Sequence, residues 1–203
     1  MNTLETIIKK FNLKDTPLRP GTWVMGSRNK ELLELYTELG FNLGAEIGVE
    51  AGIYSEEMCK GVPNLTLYSI DPWKAYGGYR EHVSQEKLEA LYKTAYDRLK
   101  PYNCYIIRDL SENAHELFQD ESLDFVYIDG NHDFLHVTND LEYWSRKVKK
   151  GGIVAGHDYI RRSGPYRNHV KDVIPAFAYA NGIREWFILR EPKGASSWFW
   201  VKP

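Results

Sequence analysis

Several things are scarce in this chain, and each shortage excludes a class of protein. Its 203 residues include only two cysteines, Cys59 and Cys104. They stand far apart, without the close spacing of a zinc site, and read as the reduced thiols of a cytosolic protein. No apolar run is long enough to span a bilayer. Met1–Glu5 shows no basic stretch leading into an apolar one, so no secretory leader is read there, and the expectation is a cytoplasmic protein without a membrane partner. Neither sign of charge dominates: 26 Lys and Arg stand against 28 Asp and Glu, a formal net charge of −2. That gives no global basic footprint for nucleic acid. Internal repeats and low-complexity linkers are missing as well.

What is present is an ordinary globular mixture, 43% apolar and 27% charged. The length suits one domain, residues 1–203. Within it, 1–40 reads as an N-terminal helical and lid segment and 41–203 as the core. Apolar spacing predicts helices over Leu4–Phe11, Asn29–Leu39, Tyr54–Lys60, Gln85–Leu99, Ser111–Phe118, Leu135–Val148 and Val170–Ala180. Strands are predicted over Leu43–Val49, Leu65–Ile70, Cys104–Ile107, Leu123–Ile128, from Ile153 to Ala155, and over Trp186–Leu189 and Trp198–Val201. Pro17, Pro20 and Gly21 mark Leu13–Arg28 as a loop, Pro72–Val83 is irregular and aromatic, and Ile160–His169 is a polar, basic loop. Gly151-Gly152 is expected to close the helix before it, and Ser111 to cap its own. Strands alternating with helices imply an α/β fold with a largely parallel sheet. The last two strands have no helix between them and should form a hairpin.

In such a sheet ligands bind beyond the carboxyl ends of the strands. The predicted ends carry Glu46-Ile47-Gly48, Asp71, Asp109, Asp129 and His157-Asp158. Gly48 and Gly52 are a different spacing from the G-x-G-x-x-G of dinucleotide sites. With Glu46 before them and Asp71 at the next strand end, they suit a nucleoside carrying a positive charge, such as S-adenosylmethionine. Asp71 would bridge two ribose hydroxyls. Glu46 would bond loop amides or the ligand's ammonium group, and Trp73 either covers the base or lies on the surface. Asp109 either accepts from the adenine amino group or caps the next helix.

Asp129 and Asp158 come from adjacent strand ends, within reach of one ion. Two carboxylates with an amide, imidazole or water suit Mg²⁺, and an imidazole also admits Mn²⁺, Fe²⁺ or Zn²⁺. The alternative is that Asp129 only touches the cofactor and Asp158 only caps the next segment. His132 is the best-placed base near neutral pH, whereas His115 and His136 read as surface residues on helices. Arg161, Arg162 and Arg167 form a basic cluster that is either solvated or holds an acidic substrate.

Two stretches carry a family resemblance: Asp-Phe-Val-Tyr-Ile-Asp-Gly-Asn-His at 124–132 and Lys-Lys-Gly-Gly-Ile-Val-Ala-Gly-His-Asp-Tyr at 149–159. The chain resembles class I S-adenosylmethionine-dependent methyltransferases, specifically a branch of small bacterial metal-dependent enzymes similar to the macrolide sugar O-methyltransferases. It is more distantly similar to catechol O-methyltransferase. The resemblance runs from about Leu33 to Val201. It implies a Rossmann-like, seven-stranded sheet of order 3-2-1-4-5-7-6 with strand 7 antiparallel. It implies cofactor contacts at Glu46, Gly48, Gly52, Ser55, Asp71, Asp109 and Asp129, and metal ligands at Asp129, His157 and Asp158. The lysine base of the catechol enzymes, three residues after the first metal acid, is His132 here. The expected activity is methyl transfer to a hydroxyl of a small, polar substrate, an anionic one if the basic cluster holds it, with a divalent metal assisting. A metal-free N- or O-methyltransferase and a catalytically silent cofactor-binding protein are the alternatives. A homo-oligomer is compatible with the N-terminal helix and the aromatic surface.

Overall fold

The computed structural model describes residues 2–77, 79–80, 82–161, 168–191 and 194–203. Eight strands form one sheet: β1 (Pro20–Met25), β2 (Leu43–Ile47), β3 (Thr66–Ile70), β4 (Cys104–Ile107), β5 (Leu123–Ile128), β6 (Val148–Tyr159), β7 (Trp186–Arg190) and β8 (Ser196–Val201). Their order is β1-β7-β8-β6-β5-β2-β3-β4. All neighbours are parallel except β8, which is antiparallel to both β6 and β7. Without β1, this is the expected order 3-2-1-4-5-7-6.

The eighth strand corrects the expected count of seven. β1 lies in the segment read as a loop. It is an edge strand that pairs in parallel with β7 from Thr22↔Phe187 to Met25↔Arg190. Proline is tolerated at the first residue of an edge strand, and Gly21, at φ +76°, takes up a register shift there. Only Val24 of β1 is buried, so the alternation that betrays a half-buried strand is too short to see.

The helices are α1 (Thr3–Lys10), α2 (Leu33–Glu38), α3 (Ile53–Gly61), α4 (Gln85–Leu99), α5 (Ser111–Ala114), α6 (Phe134–Lys147) and α7 (Val170–Ala180). α1 begins with a capping box: Asn2 Oδ1 accepts from the Glu5 amide, and Glu5 Oε2 accepts from the Asn2 amide, both at 2.9 Å. The central strands β2 and β5 are buried on both faces, as parallel strands covered by helices must be. One core lies between the sheet and α6 and α7, around Trp144, Trp198 and Trp200. Another lies on the α1–α3 side, around Tyr36, Phe125 and Phe199. Each such side chain contributes about 2–3 kcal/mol by leaving water.

Four further expectations are corrected. The helix from Asn29 opens instead with a π-type turn, Arg28–Leu32, before α2. Gly151-Gly152 does not stop the chain; β6 runs through it. The helix expected over Ser111–Phe118 is α5 followed by a tighter turn at His115–Leu117, and Leu110 rather than Ser111 occupies its capping position. Trp73 is 1% exposed and packs with Leu88, Ala95 and Leu99 under α4. Among the described residues no helix is long and apolar enough to cross a membrane.

Candidate active site

The carboxyl ends of β2, β3, β5 and β6 meet at one edge of the sheet, and the candidate residues sit there because the strands end there. After β2, the Gly48 amide donates to Ile70 O of β3 at 2.9 Å, while Asp129 N donates to Ile47 O at 2.7 Å. Gly48 adopts φ +89°, and a Cβ on it would lie 2.2 Å from Asp129 O. Only glycine lets the two strand ends approach so closely. Gly52, at φ +74°, begins α3 and packs against Ala95 of α4.

Asp71 fastens the turn between β2 and α3. Its Oδ2 accepts from the Val49 and Glu50 amides, both at 3.0 Å, and its Oδ1 from the Trp73 amide at 2.8 Å. A carboxylate has about four acceptor sites, so about one remains for a ligand hydroxyl. Glu46, 2% exposed, accepts from the Ser55 hydroxyl. Ser55 Oγ lies 2.8 Å from Ser69 Oγ, which lies 3.2 Å from Cys104 Sγ. Burial pushes the Glu46 carboxyl well above the usual range, against the opposing effects of Ser55 and Arg28.

Two clefts open over this edge and share Gly48, Asp71, Tyr79 and Gly130. The first, of about 610 Å³ with the open solvent at its mouth included, has an apolar side that includes Ile47, Ile70, Tyr76 and Leu110. Its other side carries Asn131, His136 and Asp140. Asn131 Nδ2 and His136 Nδ1 are buried and have no hydrogen-bond partner among the described residues. His136 is therefore not the surface residue expected, because the first turn of α6 starts beside the end of β5. His136 and Asp140 are four residues apart and share a helix face, a spacing that could have signalled their joint role.

Burial raises the Asp140 carboxyl to about 7, despite the Ser111 hydroxyl that it accepts from. Its folded state thus binds the proton more tightly than the unfolded chain. The stability this supplies is fully present at acid pH and is lost as pH rises through about 7. Urea unfolding should show Asp140→Asn losing about 2–3 kcal/mol less than the native chain between about pH 5 and about pH 8. Equal losses in both proteins would contradict this.

The second cleft, of about 860 Å³ with the open solvent at its mouth included, is lined by ionisable groups: Arg28, Glu46, Arg80, Asp129, His132 and Asp158 among them. His132 Nε2 lies 3.4 Å from Asp129 Oδ1 and 3.1 Å from Asp158 Oδ2. Asp129, His132 and Asp158 each offer one ligand atom, all within 4.8 Å of one another. His157 is slightly farther, its Nδ1 being 3.7 Å from Asp129 Oδ2 and 3.9 Å from Asp158 Oδ2. Arg28 Nη1 donates to Asp129 Oδ2 at 3.0 Å and to Tyr127 OH at 3.3 Å. Burial alone would lift the Asp129 carboxyl, but His132, His157 and Arg28 outweigh it and hold the group below the ordinary carboxylate range. This arrangement can hold a cation and can take up a proton.

The structure thus brings Glu46, Gly48, Asp71, Asp129, His132 and Asp158 to the clefts, with Ser55 behind Glu46 and His157 beside the acids. Asp109 is exposed and turned into its own loop, accepting from the Leu110 amide at 2.7 Å and Asn113 Nδ2 at 2.9 Å. Its neighbours Leu110 and Ser111 line the first cleft instead. Arg161 is exposed and pairs with Asp172 at 3.2 Å, while Arg162 and Arg167 lie outside the described residues. Arg28 was not singled out by the sequence, since its segment read as a loop with no strand end to place it.

A family described as "Methyltransferase domain" matches residues 45–159. No curated protein matches the chain by sequence. A Staphylococcus aureus structure, provisionally assigned as a caffeoyl-CoA O-methyltransferase, superposes with a TM-score of 0.65 at 16% identity, over 97% of this chain and 91% of that one. The O-methyltransferase from Bacillus cereus in complex with SAH gives 0.59 at 16%, over 98% and 90%. The N-methyltransferase NodS from Bradyrhizobium japonicum gives 0.58 at 14%, over 87% and 94%. At these identities the likeness is one of fold.

Proposed function

The chain belongs to the methyltransferase-domain family and has its class I, Rossmann-like fold; from that premise we propose that it transfers the methyl group of S-adenosylmethionine to a hydroxyl of a small polar acceptor. The observation that carries this reading is the meeting of an apolar cleft and a charged cleft at Gly48, Asp71 and Gly130. The first cleft fits an adenosine. The ring edge would satisfy the orphaned Asn131 Nδ2 and His136 Nδ1, and one ribose hydroxyl would take the remaining acceptor site of Asp71. Glu46, at the foot of the second cleft, fits the amino-acid end. Once bound, the cofactor supplies an already activated methyl group. The protein's task is then to orient the acceptor, exclude water and remove a proton.

The donor set of Asp129, Asp158 and an imidazole suits a hard divalent ion, which when bound would lower the pKa of the acceptor hydroxyl. His132 Nε2 can serve as ligand or as base, but not as both. With His157 as the imidazole ligand, His132 is left to take the acceptor proton. A metal-free reaction is the second reading, and Arg28 on Asp129 favours it because one cation is already in place.

The test is transfer of a labelled methyl group from S-adenosylmethionine to a panel of hydroxyl acceptors, with and without a chelator. Turnover that a chelator stops and Mg²⁺ or Mn²⁺ restores supports the metal-assisted form. Chelator-insensitive turnover, with a pH profile lost in His132→Ala, selects the metal-free form. Bound cofactor with no transfer to any acceptor would leave a silent binding protein.

A further inference from the structure

We propose that Arg28 is a cation fixed on Asp129 in the charged cleft, one whose charge keeps divalent-ion affinity low until an anionic acceptor oxygen joins the site. This rests on reading that cleft as the place of methyl transfer.

The placement of Arg28 is built rather than incidental. Its side chain is three-quarters buried, at 25% exposure. The guanidinium carbon lies 4.6 Å from the centre of the Tyr54 ring and 5.9 Å from that of Tyr127. The backbone is held at both ends of the residue: the Arg28 amide donates to Glu191 Oε1 at 2.9 Å, and Tyr54 OH donates to Arg28 O at 3.3 Å. Arg28 also opens the π-type turn, a wide turn often found at functional sites. Glu191 in turn accepts from Ser197 Oγ, which lies 3.1 Å from Tyr127 OH. A closed network from β5 and β8 therefore fixes the residue that meets Asp129.

Counting charge gives the consequence. Asp129 and Asp158 supply two negative charges, and Arg28, which cannot lose its proton, supplies one positive. Among these three groups a divalent ion held by the two acids would leave a net positive charge, with like charges sharing Asp129; Arg80, across the cleft, is taken up by Glu50 at 3.0 Å. An acceptor carrying a carboxylate, phosphate or ionised hydroxyl would restore the balance. Arg28 has donors for it: both of its side-chain bonds use Nη1, and Nε and Nη2 have no partner among the described residues. A guanidinium edge of that kind suits an oxyanion. The structure therefore assigns the acceptor to anionic compounds and assigns Arg28, rather than Arg161, as their anchor.

Manganese(II) binding, followed by electron paramagnetic resonance, tests this without any turnover. The native chain should bind Mn²⁺ alone only weakly, with a Kd near or above about 1 mM, and Arg28→Gln should tighten it by at least about tenfold. Arg28→Lys, which keeps the charge, should stay within about threefold of the native value. Unchanged or weaker Mn²⁺ binding in Arg28→Gln overturns the proposal. So does a native Kd below about 10 µM, a criterion that needs no variant to fold. Titrating S-adenosylhomocysteine into the same samples separates the two claims. Its failure to bind the native chain counts against the methyl-donor reading, whereas binding with unaltered Mn²⁺ affinity counts only against Arg28.

Discussion

Gly48→Ala is expected to cost about 2–4 kcal/mol of stability and to weaken S-adenosylhomocysteine binding by at least about a hundredfold. A methyl group there would stand 2.2 Å from Asp129 O and 2.6 Å from the Gly130 Cα, both backbone atoms that cannot swing aside. The φ of +89° adds strain to any L side chain. Relief requires the ends of β2 and β5 to part. That movement displaces Asp129 N from Ile47 O and shifts Gly130, which both clefts share. Urea unfolding and calorimetry read the two losses separately. Gly40→Ala provides the control: it also has positive φ, +69°, but its Cβ would meet nothing within 4 Å. It should lose about 1 kcal/mol and keep ligand binding. Equal behaviour of the two variants would mean that the close approach at Gly48 is unimportant.

Asp129→Asn should lower kcat by about a thousandfold while leaving S-adenosylhomocysteine affinity within about threefold. The substitution keeps the shape and removes the negative charge that Arg28, His132 and His157 all face. Three cationic or proton-bearing groups would then lack their shared counter-charge, and the acceptor's proton would have no imidazole held in position to receive it. The first cleft does not include Asp129, so nucleoside binding should persist. Stability should also fall, by about 1–3 kcal/mol, because Arg28 keeps its charge in a mostly buried place. A kcat within tenfold of native would remove Asp129 from the chemistry.

These expectations show where sequence reading reaches and where it stops. The order of seven strands was legible because β2, β3, β5 and β6 are largely buried, helices regularly separate β2–β6, and nothing but a short turn separates the last two. The acids at the strand ends were legible for the same reason: a predicted strand end gives its last residue an address. β1 had no such pattern, since one buried residue cannot show a period. Arg28 reaches the site from 101 residues before Asp129, through a pairing with that unseen strand's neighbourhood rather than through local pattern. His136 and Asp140 were hidden differently. They sit on a helix whose identity was clear but whose rotation was not, so the face turned to the cleft had no marker. Asp109 shows the reverse case, a strand-end acid whose nearest donors are those of its own turn.

The central claim is that the two joined clefts hold S-adenosylmethionine. Calorimetric titration of S-adenosylhomocysteine into the native chain tests it most directly. The account predicts one site per chain with a roughly micromolar Kd. No heat of binding, together with no rise in melting temperature at saturating ligand, would contradict it.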